Sequence, residues 1–128
     1  MRIHLALMAG ALLLAGTAAP AAPDEERLAR EIEGRVAGEP VDCIDTRQAR
    51  SSRIIDRTAI IFEAGRTIYV NRPRSGAESL RRQDVMVIRP TASRLCSIDT
   101  VRMVDSGSRT LTGIVFLGQF VPYRRPPR

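Results

Sequence analysis

The chain has no lysine and no tryptophan, and its one histidine, His4, lies in an N-terminal segment that reads as removable. Each absence excludes chemistry. Without lysine there is no Ser-Lys dyad and no Schiff base. Without histidine there is no Ser-His or Cys-His nucleophile pair and no imidazole metal site, so most hydrolase mechanisms lack their base. Aromatic residues are few: Phe62, Tyr69, Phe116, Phe120 and Tyr123 are all of them, which leaves Ile, Val and Leu to build the core. The longest apolar run, Leu5 to Gly16, falls short of the roughly 20 residues a membrane-spanning helix needs.

That run follows Arg2 and His4 and leads into Thr17-Ala-Ala-Pro-Ala-Ala-Pro23. A positive start, an apolar stretch and small residues at Ala19 and Ala21 predict a signal peptide over residues 1–21, cleaved near Ala21. Thr17 stands where a lipid-anchored protein would need cysteine. The expectation is a soluble protein of the periplasm or exterior, with no transmembrane segment after cleavage.

Two cysteines remain, Cys43 and Cys96, in a compartment where disulfides persist. They are far apart and lack the Cys-x-x-Cys spacing of a redox pair, so a structural bridge between them is expected.

The charge is uneven. Residues 22–40 hold six acids against three arginines, and residues 41–128 hold sixteen arginines against eight acids. An acidic arm therefore precedes a basic body. In the arm, Leu28, Ile32 and Val36 recur at helical spacing behind Asp24, a candidate N-cap, and predict a short amphipathic helix. Gly38-Glu39-Pro40 marks the passage to a β-rich body over residues 41–121.

In the body, Arg53 to Asp56, Thr58 to Glu63 and Arg66 to Asn71 read as strands, the last two joined at Ala64-Gly65. Ile60 and Phe62 alternate with Ile61, so that strand is apolar on both faces. Ala77 to Asp84 suits one helical turn or a connection, and Val85 to Ile88 a short strand. Ser97 to Val104 and Thr110 to Phe116 flank the turn Asp105-Ser-Gly-Ser108, with Leu117 to Val121 extending the last strand. Gly118 marks a bulge or close packing. The Pro/Arg-rich tail, residues 122–128, is expected to stay extended and outside any sheet interior. The expectation is a mostly β fold, a small antiparallel barrel or sandwich of about six strands with one short N-terminal helix.

Arg47, Arg50, Arg53 and Arg57 would share one face if helical, and Arg72, Arg74, Arg81 and Arg82 cluster on loops. These eight are the candidate anion-binding residues, since a guanidinium fork matches phosphate and carboxylate. Six acids, Asp42, Asp45, Glu63, Asp84, Asp99 and Asp105, are the remaining candidates for acid/base work, but their spacing singles out no pair. Asp42-Cys-Ile-Asp45 lacks the Gly turn and terminal Glu of a calcium loop. No catalytic residue, metal ligand or cofactor is assigned, and no nucleic-acid partner. The expectation is a non-enzymatic domain that binds an envelope protein or an anionic envelope component. The alternatives are a small protein inhibitor of an envelope hydrolase and a carboxylate-dependent hydrolase.

Cys43-Ile44, Ile55 to Phe62, Gly65 to Asn71, Leu95-Cys-Ser-Ile-Asp99 and Leu117-Gly-Gln-Phe120 together resemble a family of small exported bacterial proteins, a domain of unknown function, over roughly Val41 to Val121. The resemblance implies a fold and an envelope location, with no activity attached. Members of that family often carry four cysteines, and the two missing here would fall near Ala77 and Val115. The resemblance thus implies that Cys43 and Cys96 are partners in the surviving bridge.

Overall fold

The computed structural model describes residues 15–16 and 22–128, so the expected signal peptide lies almost wholly outside the described residues. Ten strands form three antiparallel sheets behind one α-helix among the described residues, and none of the sheets closes into a barrel. The fold is mostly β and sandwich-like. Its strand count exceeds six because several strands are only two or three residues long.

The helix, α1 (Pro23–Glu31), places Pro23 at its first position, where a missing N–H costs nothing. Its N-cap is Ala22, not Asp24, which sits inside the first turn. The helix also stops short of Val36. Gly34 takes a left-handed conformation (φ +73°), and the chain passes into β1 (Val36–Ala37), where Val36 is exposed.

The main sheet contains β1, β3 (Ser51–Ile55), β4 (Ala59–Ala64), β5 (Thr67–Asn71) and β10 (Phe120–Arg124), in the order β1-β10-β5-β4-β3. A second sheet has the order β6-β8-β9, from Val85–Val87, Thr100–Val104 and Leu111–Phe116. The third pairs β2 (Cys43–Asp45) with β7 (Arg94–Cys96). Cys43 and Cys96 lie directly opposite one another in that pair and are bonded. Cross-linking positions 53 residues apart stabilises the fold by about 4 kcal/mol on the chain-entropy account.

The two-faced character of β4 decides the layering. Ile60 and Phe62 pack with Ile54, Val101, Met103, Val115 and Phe120 between the main sheet and the smaller ones. Ala59 and Ile61 pack with Ile55, Ile68 and Val70 on the other face, beneath Leu28 of α1 and Ile32 just after it. The arm is therefore docked on the body through a buried leucine.

The last strand overturns the expectation for the tail. Pro122, Tyr123 and Arg124 lie in β10, between β1 and β5. Proline is accommodated because its missing N–H faces the short 36–41 segment, where Gly38 N–H donates to the Pro122 carbonyl and Phe120 pairs with Val41. Leu117 to Gln119 do not prolong β9; they carry the chain from one sheet to the other. Gly118 is close packing, since a Cβ there would collide with the Arg72 carbonyl oxygen. Buried Asn71 holds this crossing, donating to the Gly118 carbonyl at 2.7 Å and accepting from its N–H at 2.9 Å. Ala77–Ser79 forms a single 3-10 turn. Among the described residues no helix is long and apolar enough to cross a membrane.

Candidate functional site

The eight candidate arginines do not form one patch. Arg47, Arg50, Arg53 and Arg57 share no helix face, because residues 51–55 are strand β3 and Arg57 sits in the turn after it with a positive φ of 54°. Five of the eight are engaged by carboxylates. Arg57 Nη2 donates to Asp24 at 2.8 Å, Arg72 donates through both Nη atoms to Glu25 at 2.8 and 3.0 Å, and Arg53 reaches Glu31 and Glu63, each at 2.8 Å. Arg47 pairs with Asp45 and Arg82 with Asp56. Arg74 Nε donates to the Leu117 carbonyl at 2.7 Å, tying the segment after β5 to the crossing. Arg50 and Arg81 make no ion pair among the described residues.

The partners explain why. Asp24, Glu25 and Glu31 all belong to α1, so docking the acidic arm brings three of its acids onto three body arginines. Exposed pairs of this kind contribute little each. The hydrogen bonds from Arg72 hold the Glu25 carboxyl below its usual range, and those from Arg53 and Ser51 do the same for Glu63. Arg47 lowers Asp45, and the Ser108 backbone and hydroxyl lower Asp105.

The six candidate acids are likewise dispersed. Asp42 accepts from Gln119 and Ser97, Asp84 from Thr112, and Asp99 from the Cys96 backbone N–H. None of these hydrogen bonds, nor those of Asp45, Glu63 and Asp105, joins two of the six. Among the described residues no three His, Cys, Asp or Glu side chains gather as metal ligands.

A different set of arginines does converge. Arg35 immediately precedes β1, Arg66 precedes β5, and Arg124 ends β10. Since β10 runs antiparallel to both neighbours, its end lies beside their beginnings. The result is an open cleft of about 820 Å³ lined by Arg35, Arg66, Thr67, Arg124, Arg125 and Arg128 with two prolines, and by no carboxylate side chain. Arg35 Nη1 donates to the Arg66 carbonyl at 2.9 Å and to the Tyr123 carbonyl at 3.3 Å, while Arg124 Nε donates to Thr67 Oγ1 at 3.1 Å. These anchors fix two guanidinium groups and leave further N–H donors free to face a ligand. None of the five arginines forms an ion pair among the described residues.

Sequence reasoning missed this cluster. Its members come from three separate segments, and the tail that supplies Arg124, Arg125 and Arg128 reads as a solvated end. The available signal was the tail's own density of arginine with no acid beside it. No family model, curated protein or solved structure matches this chain.

Proposed function

We propose that the protein is a non-enzymatic β-domain of the bacterial cell envelope, exported and cleaved near Ala21, that binds a phosphate-bearing anionic envelope component through the arginine cleft at the end of the main sheet. The observation that carries this reading is the convergence of five arginines in a cleft lined by no acidic side chain. Like charges held together in one cleft repel, and an anion relieves that repulsion while satisfying several donors at once. The Cys43–Cys96 bridge supports an oxidising location. The separate engagement of the six acids, each by its own local partner, supports a binding role over carboxylate catalysis.

The test is co-sedimentation of the purified protein with phosphatidylglycerol vesicles and with neutral phosphatidylcholine vesicles. The expected result is retention on the anionic vesicles at low salt, lost as salt screens the contact, and weakened by Arg66→Ala with Arg125→Ala. Equal retention on both vesicles, or retention indifferent to salt and to these substitutions, would remove the proposal.

A further inference from the structure

The arginine cleft holds its guanidinium groups on both sides of β10. Val36 pairs with Arg124 and Tyr123 with Ile68, so one step further along the strands Arg125 falls between Arg35, ahead of β1, and Arg66, ahead of β5. Neighbouring strands stand about 4.8 Å apart, which sets the backbones of Arg35 and Arg66 roughly 10 Å from one another.

The side chains cross in opposite directions. Arg35 is half-buried and reaches over β10 toward β5, where its Nη1 donates to the Tyr123 carbonyl at 3.3 Å and to the Arg66 carbonyl at 2.9 Å. Both acceptors are backbone atoms, so this guanidinium is fixed on the β5 side, with Nε and Nη2 left for a ligand. Arg125 goes the other way. Its Nη1 lies over Gly34 on the β1 side, 3.6 Å from the point where a Cβ would stand. Donors held on either side of a strand need acceptor oxygens that are themselves set apart, because each charge-assisted hydrogen bond spans only about 2.7–2.9 Å. One phosphate group serves one side. Two linked phosphoryl groups serve both.

We propose, resting on the anion-binding reading of this cleft, that the group it recognises is a diphosphate, free or at the head of a lipid. One phosphoryl group sits against Arg35 and Arg66 on the β5 side, and the other against Arg125 on the β1 side. The planar forks of arginine match the paired oxygens of each phosphoryl group. No acidic side chain lines the cleft to compete for them.

The experiment is titration calorimetry of the purified protein at physiological salt with inorganic pyrophosphate, inorganic phosphate and citrate, the last an anion of comparable charge without phosphorus. Pyrophosphate is expected to bind at least about tenfold more tightly than either, the worth of one hydrogen bond to a charged group. Arg125 is exposed and forms no ion pair among the described residues. Arg125→Ala should therefore keep the fold, bring pyrophosphate down to the level of phosphate, and leave phosphate binding as it was. Geranyl diphosphate separates the two sources: binding as tight as that of pyrophosphate supports a lipid-borne diphosphate, and binding of pyrophosphate alone supports a free one. Equal affinities for phosphate and pyrophosphate, citrate binding as tightly as pyrophosphate, or Arg125→Ala weakening both phosphates alike would overturn the proposal and leave the anion-binding reading in place. Failure of every probe to bind would overturn it too, and the vesicle assay then decides whether the anion-binding reading falls with it.

Discussion

The face beneath α1 and the far end of the main sheet both gather arginines, yet only one of them is neutralised. Under the helix, Arg53, Arg57 and Arg72 each meet a carboxylate carried by the arm. At the sheet end, Arg35, Arg66, Arg124, Arg125 and Arg128 meet no acidic side chain in their cleft. The difference teaches that density of positive charge along a chain does not locate an anion site. What locates it is the charge left over after the fold has paired its own acids and bases.

The largest expected effect separates stability from that charge pattern. Replacing Cys43 and Cys96 together by serine is expected to lower stability by about 4 kcal/mol in denaturant unfolding. Below the transition the anion affinity of the folded protein should stay unchanged, because neither cysteine lies in either arginine set. Next comes Leu28→Ala, which removes the buried contact that docks α1 and costs about 2–5 kcal/mol by the same measurement. Loosening the helix also uncovers Arg53, Arg57 and Arg72, so weak, salt-sensitive anion binding should appear on that face and blur the contrast. A loss well under 1 kcal/mol would mean the arm is not held by its leucine.

Arginine substitutions sharpen the comparison with a smaller effect. Arg66→Ala with Arg125→Ala is expected to weaken anion binding by more than about tenfold, since the loss of even one hydrogen bond to a charged group costs roughly 1.5–3 kcal/mol. Arg57→Ala with Arg72→Ala should leave it nearly unchanged, since those side chains are already occupied. Titration calorimetry against inorganic pyrophosphate measures both.

The smallest effect is set by pH. Glu25 and Glu63 have folded-state values below the usual 4.5, so the unfolded chain holds their protons more readily. Their contribution is whole above pH 4.5 and fades as pH falls through the lower folded value. Both side chains are well exposed, and solvent screening keeps the contribution small. Acid should therefore slightly lower the protection of the α1 amides relative to their intrinsic exchange rates, without a matching change near Arg66, where no acidic side chain lines the cleft.

Much of the fold was legible from local pattern. The strands around Ile54, Ile60 and Ile68, the turn at Asp105, the short Val85–Val87 strand and the disulfide follow from β-branched runs, turn chemistry and cysteine count. The double-sided burial of β4 was legible in consecutive isoleucines. The rest depended on pairing between distant segments. β1 and β10 are strands because Val36 meets Arg124 and Ala37 meets Tyr123, and nothing near Pro122 announces that. The same register assembles the arginine cleft, whereas the Arg47 to Arg57 spacing suggested a helical face in a segment that β3 and its turns occupy. Leu28 and Ile32 revealed an amphipathic helix, but not that its acids would fall on Arg53, Arg57 and Arg72.

The most direct measurement is the NMR spectrum of the arginine side-chain Nε–H groups during titration with inorganic pyrophosphate. Arg35, Arg66, Arg124, Arg125 and Arg128 are expected to shift together and saturate, while Arg53, Arg57 and Arg72 stay in place. Shifts led by the three arginines beneath α1, or spread evenly over all eight, would contradict it.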